Sequence, residues 1–167
     1  MKNFTFYIVY AFCLIIIGSC ETKKDLSQNT NFSLNEITIA EIHNGYNSGS
    51  YNVKEIVSQY INRIKNIDQN GPEINSIIMI NPDALNIADS LDQIQKHGKK
   101  KGPLFGIPVL LKDNIDTHDK MPTTAGSRIL KNSFPLKDSW VAKKLRDSGA
   151  VILGKTNLSE WVNYRAS

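Results

Sequence analysis

Val53, Ile56, Val57, Tyr60, Ile61 and Ile64 fall three and four residues apart, the spacing of one face of a helix, and Asn52 with Glu55 three residues on forms a capping box at its start. Ser33 with Glu36 has the same form and predicts an earlier helix running through Ile37 and Ile42. The apolar run Ile74 to Ile80 is short enough for a buried strand. Asn81 and Pro82 then read as an N-cap and first helical residue, with Ala84, Ile87, Ala88, Leu91 and Ile94 on one face. Ile107 to Leu111 is the next strand and ends at Lys112. A helix opens at Asp138 or Ser139, Gly149 closes it, and Ala150 to Leu153 is the following strand. Strand, crossover helix and strand make a parallel unit. The pattern predicts an α/β chain: N-terminal helices, then part of a mixed, largely parallel sheet covered by helices.

The first residues follow another pattern. Lys2 precedes an apolar run from Phe4 to Ile17 that ends in Gly18-Ser19-Cys20, the arrangement of a secretory signal. The run is shorter than the roughly 20 apolar residues a membrane-crossing helix needs. Ile17-Gly18-Ser19-Cys20 resembles a bacterial lipobox, which implies cleavage after residue 19 and lipidation of Cys20. The other reading is an uncleaved N-terminal anchor. Both place the rest of the chain outside the cytoplasm, on a membrane facing the periplasm or cell exterior. The organisation expected is a signal peptide over 1–19, a polar tether over 20–32 and a folded part over 33–167. Cleavage removes Cys13 and leaves Cys20 alone, so no internal disulfide is expected.

The net charge of +4 falls to +3 once Lys2 is lost. Lys99-Lys100-Lys101 sits between Gly98 and Gly102 and reads as a solvated loop; a nucleic-acid surface would want a patterned basic face interleaved with aromatics. No nucleic-acid partner is expected. His43, His97 and His118 lack ligand spacing, so neither a metal nor another cofactor is expected.

The chemistry concentrates between Gly102 and Trp161. An apolar strand runs into Lys112, and a lysine withdrawn from water is pushed towards its neutral form, which can accept a proton. Lys112 is therefore a candidate general base, set against a strand-end lysine that reaches solvent or pairs with Asp113. The carboxyl end of a parallel strand is where open α/β sheets bind ligands. The loop after it holds Thr123, Thr124, Gly126 and Ser127, candidates for substrate contact or for ordinary loop hydrogen bonding. Gly126 permits a left-handed backbone or a close approach. Glu160 and Trp161 read as a short helix used for packing and surface.

Gly102-Pro103-Leu104-Phe105-Gly106-Ile107-Pro108, Lys112-Asp113-Asn114, Pro122 to Ser127, and Ser148 through Gly154-Lys155-Thr156-Asn157 to Trp161 resemble, in order and spacing, the amidase signature family. Thr38 to Leu91, with Asn81-Pro82-Asp83-Ala84-Leu85, is similar to that family's helical entry. The resemblance implies hydrolysis of a small-molecule amide by a serine nucleophile, a second serine and a lysine that Lys112 matches. Both serines are implied in a Gly/Ser-rich segment downstream of the lysine. No such segment occurs up to Ser167, and neither Ser127 nor Ser167 lies in one. The expectation is therefore the N-terminal portion of an exported amidase, inactive by itself, with exposed strand edges and apolar faces. The alternative is a membrane-tethered binding or vestigial module without catalysis.

Overall fold

The computed structural model describes residues 33–98 and 102–162. The signal segment, Cys20, the tether, the lysine run at 99–101 and residues 163–167 lie outside the described residues.

Helix α1 spans Ile39–Ser48 and α2 spans Val53–Arg63, continued by a π-helical turn at Ile64–Gln69. Strand β1 is Ile77–Ile80, helix α3 Ala84–Lys96, strand β2 Pro108–Lys112, helix α4 Trp140–Asp147 and strand β3 Val151–Thr156. Single 3-10 turns occupy Arg128–Leu130 and Glu160–Val162.

The capping box at Asn52 forms as expected: its side chain accepts from Glu55 N at 2.9 Å, and Glu55 accepts from Asn52 N at 2.9 Å. Asp92 on α3 adds to it, accepting from the Val53 and Lys54 amides at 2.8 and 3.0 Å. One carboxylate thus closes the start of α2 and fastens α3 to it. The first helix starts later than Ser33 and Glu36 suggest. Thr38 and Glu41 repeat the same spacing and form the box instead, while Glu36 has φ 55°, outside the helical region.

The sheet has the order β1-β3-β2, with β3 antiparallel to β1 and parallel to β2. The class is mixed α/β, as the pattern predicts, with β3 at the centre. The run from Ile74 does not become a buried strand throughout. Asn75 turns left-handed at φ 54°, pairing begins at Ile77, and Ile74 and Ile78 are exposed because β1 is an edge. Asn81 does not cap α3 as a helix neighbour; its carboxamide donates to Ile152 O at 2.8 Å and accepts from Asp83 N at 2.9 Å.

Two apolar layers flank the sheet. On one side Ile42, Tyr46, Val53, Ile56, Val57, Ala84 and Ala88 pack on Val151 and Leu153. On the other, Leu111, Met121, Ala142 and Ile152 form a smaller cluster under α4. Each fully buried aliphatic side chain contributes about 1.5–3 kcal/mol. Tyr46 fastens the helical layer to the strand entry, donating to Gly106 O at 2.9 Å. Gly106 has φ 73°, and a Cβ there would stand 2.7 Å from Val53 Cγ2, so glycine is required twice over.

Candidate active site

Lys112 is the last residue of β2, at the carboxyl end of the parallel pair, opposite Thr156. Alternation puts it on the side of Leu110, away from Leu111. Leu110 lines an open groove of about 270 Å³ with Ile77, Leu153, Tyr60 and Ile64. The Lys112 side chain is exposed and its ammonium makes no hydrogen bond or ion pair among the described residues. Pairing with Asp113 does not occur: Asp113 is buried and accepts from the Thr124 hydroxyl and, at 3.3 Å, from the Thr124 amide. The desolvation expected of a lysine at a strand end is therefore not present at Lys112. Strand β2 is an edge, and its Leu110 side stands open.

A lysine withdrawn from water does exist one strand away. Lys155 is 0% exposed, and its Nζ donates to Ile115 O at 2.7 Å and Thr123 Oγ1 at 3.0 Å. Burial lowers its pKa from the usual 10.5, opposed by the charges of Asp113, Asp119 and Asp116. The sequence carries a signal for it: Val151 to Gly154 runs into a lysine just as Ile107 to Leu111 does, but on the central strand.

The loop between Lys112 and Ser127 is packed rather than free. Thr117 and Met121 are buried. Arg146 on α4 bridges Asp119 at 2.6 Å and Asp138 at 3.0 Å, and Lys120 pairs with Asp83 at 2.7 Å. The turn out of β2 is closed by Ile115 N on Lys112 O at 2.9 Å, and Ala125 N returns to Asp113 O at 2.9 Å.

The four loop candidates divide. Thr123 Oγ1 accepts from Lys155, and Thr124 Oγ1 donates to Asp113 while accepting from Gly126 N at 3.1 Å. Both hydroxyls are engaged, that of Thr123 by strand β3 and that of Thr124 within the loop. Gly126, at φ +75°, follows Ala125 at φ 49°, and a Cβ on Gly126 would lie 3.2 Å from Glu160 Cα. Both anticipated uses of this glycine are met. Ser127 is different: its hydroxyl is buried with no partner among the described residues. Glu160 and Trp161 lie on the 3-10 turn, where Trp161 has φ 55° and donates its amide to Ala125 O at 2.7 Å. His43 and His118 bond backbone carbonyls, of Phe105 at 3.1 Å and Pro135 at 3.0 Å.

Comparison with known proteins converges on one family. The Amidase family model matches residues 55–166. The chain is 41% identical over 137 residues to a putative amidase of Schizosaccharomyces pombe, covering 82% of this chain and 23% of that protein. It is 40% identical over 153 residues to a probable amidase of Arabidopsis thaliana, covering 90% of this chain and 29% of the relative. The native peptide amidase from Stenotrophomonas maltophilia superposes with a TM-score of 0.73 at 42% identity, over 75% of this chain and 26% of that structure. The chain spans about a quarter of the length of these relatives. The motif order, the mixed sheet and these matches together place it: the chain belongs to the amidase signature family.

Proposed function

We propose that this chain is the lysine-bearing segment of an amidase that hydrolyses the C–N bond of a carboxamide, with Lys112 as general base. The observation that carries this is the position of Lys112 at the carboxyl end of a parallel strand, in a chain of the amidase signature family. Neutral Lys112 takes a proton relayed through a bridging serine, and the serine nucleophile so activated attacks the amide carbonyl. The proton returns to the departing amine, and water then releases the acid from the acyl-serine. Turnover requires both serines of this scheme together with Lys112, since such groups act as a unit. Ser127, Thr123, Thr124 and Gly126 form the loop proposed to border the substrate. Cys20 is the proposed lipid attachment point, which puts the enzyme on a membrane facing the periplasm or exterior.

In the protein produced from its own gene, Lys112→Ala lowers kcat by about 10²–10⁴-fold. Lys112→Arg does no better, since a guanidinium keeps its proton. Near-normal turnover of the arginine variant across neutral pH would make Lys112 a structural cation. Mass spectrometry of the membrane fraction should find a lipid-modified N-terminal Cys20; an intact Met1 in a soluble fraction refutes the anchor.

A further inference from the structure

Lys155 alone among the described lysines is buried. The parallel register sets it beside Leu111, one residue before Lys112. From there its side chain spans a loop: Nζ reaches Ile115 O at 2.7 Å near the loop's start and Thr123 Oγ1 at 3.0 Å near its end. The charged groups acting on it are Asp113, Asp116 and Asp119, which attract, and Arg146, which repels. Ile115 also supplies the amide that closes the turn on the Lys112 carbonyl, at 2.9 Å. Lys155 therefore holds the far side of the peptide turn whose near side is Lys112. Next to Thr123, Thr124 is held by Asp113. A buried lysine near the end of β3 and a buried carboxylate just past the end of β2 thus fasten two adjacent threonines. Burying a lysine costs free energy unless it is well bonded, so this placement needs a compensating purpose.

We propose that Lys155 is a positioning residue for the amidase reaction, fixing the backbone from Lys112 to Thr124 so that the base and the loop bordering the substrate keep one geometry. The proposal rests on the reading of Lys112 as the base.

Two measurements test it, one independent of activity. In the full chain, amide hydrogen exchange at Ile115, Thr123 and Ala125 should accelerate at least about tenfold in Lys155→Met and in Thr123→Val, which removes the acceptor. Thr123→Ser keeps the oxygen and should retain protection. The Ile56 amide, bonded to Asn52 O in α2, serves as the internal standard and should not change. If Lys155→Met fails to fold, Thr123→Val decides. Unchanged exchange across 113–125 overturns the proposal. In the protein produced from its own gene, Lys155→Met should lower kcat about 10²-fold with KM within about threefold, as expected for a displaced catalytic group. A rise in KM with kcat intact overturns it as well. An active Lys112→Ala variant would remove Lys112 as the base, while the exchange result still decides whether Lys155 holds the loop.

Discussion

Side chains of one type divide here according to which strand carries them. Lys112 and Lys155 both end apolar runs, yet one meets solvent and the other is enclosed. Two oxygen acceptors, Ile115 O and Thr123 Oγ1, face Lys155 Nζ, and burial lowers its pKa. Its lowered pKa has a consequence for stability. Between the lowered folded value and 10.5 the unfolded chain binds more protons than the folded one, so this residue's contribution rises with pH. Tyr46, Tyr51 and Tyr60 act oppositely: burial raises each phenol above 10.0, and stability is lost as the unfolded chain ionises beyond that pH. Those phenols are common to wild type and Lys155→Met, so they cancel in the difference. Urea unfolding of the two proteins from pH 7 towards 10 should show the wild type gaining on the variant; a constant difference would mean that Lys155 stays charged throughout.

Elements with a repeating apolar face were legible in the sequence. Helix α2 formed with the cap and buried residues its spacing indicates, because Val53, Ile56, Val57 and Ile61 need only one surface to cover them. The strands were legible as strands but not as edges or centre, since pairing over long separations decides that and leaves no local mark. Hence Ile74 to Ile80 looked buried, and Lys112 rather than Lys155 looked desolvated. Rival capping pairs of equal spacing explain the misplaced start of α1. Gly154 was equally silent. A Cβ there would stand 2.3 Å from Met79 O, across the antiparallel pair. Gly154→Ala should destabilise the chain by about 1–3 kcal/mol. The loss should appear first as faster exchange of the Asn81 amide, which bonds Leu153 O at 2.8 Å. Protection equal to wild type would show that β1 shifts without cost.

Across the whole molecule, apolar surface is unevenly covered. Ile129 and Leu136 are 88% and 92% exposed, with Phe134 and Trp140 close by in sequence, and both β1 and β2 lie at sheet edges. Such surfaces favour association. Sedimentation velocity over a concentration series should show the chain self-associating. Ile129→Lys with Leu136→Lys should reduce that while changing stability by no more than about 0.5 kcal/mol, as for other exposed sites. A wild type that stays monomeric throughout would refute this account of the surface.

The central strand is also the last of the three in chain order. A ribosome therefore finishes both outer strands before it makes the one that joins them. Helices α1, α2 and α3 have their mutual contacts available early, since Asp92 and the Val53 amide are already synthesised. Strands β1 and β2 must wait, unpaired, until residues 151–156 emerge. Until then the helical layer also lacks Val151 and Leu153, so any process that delivers the chain from its N-terminus presents two open strands and an uncovered apolar face first.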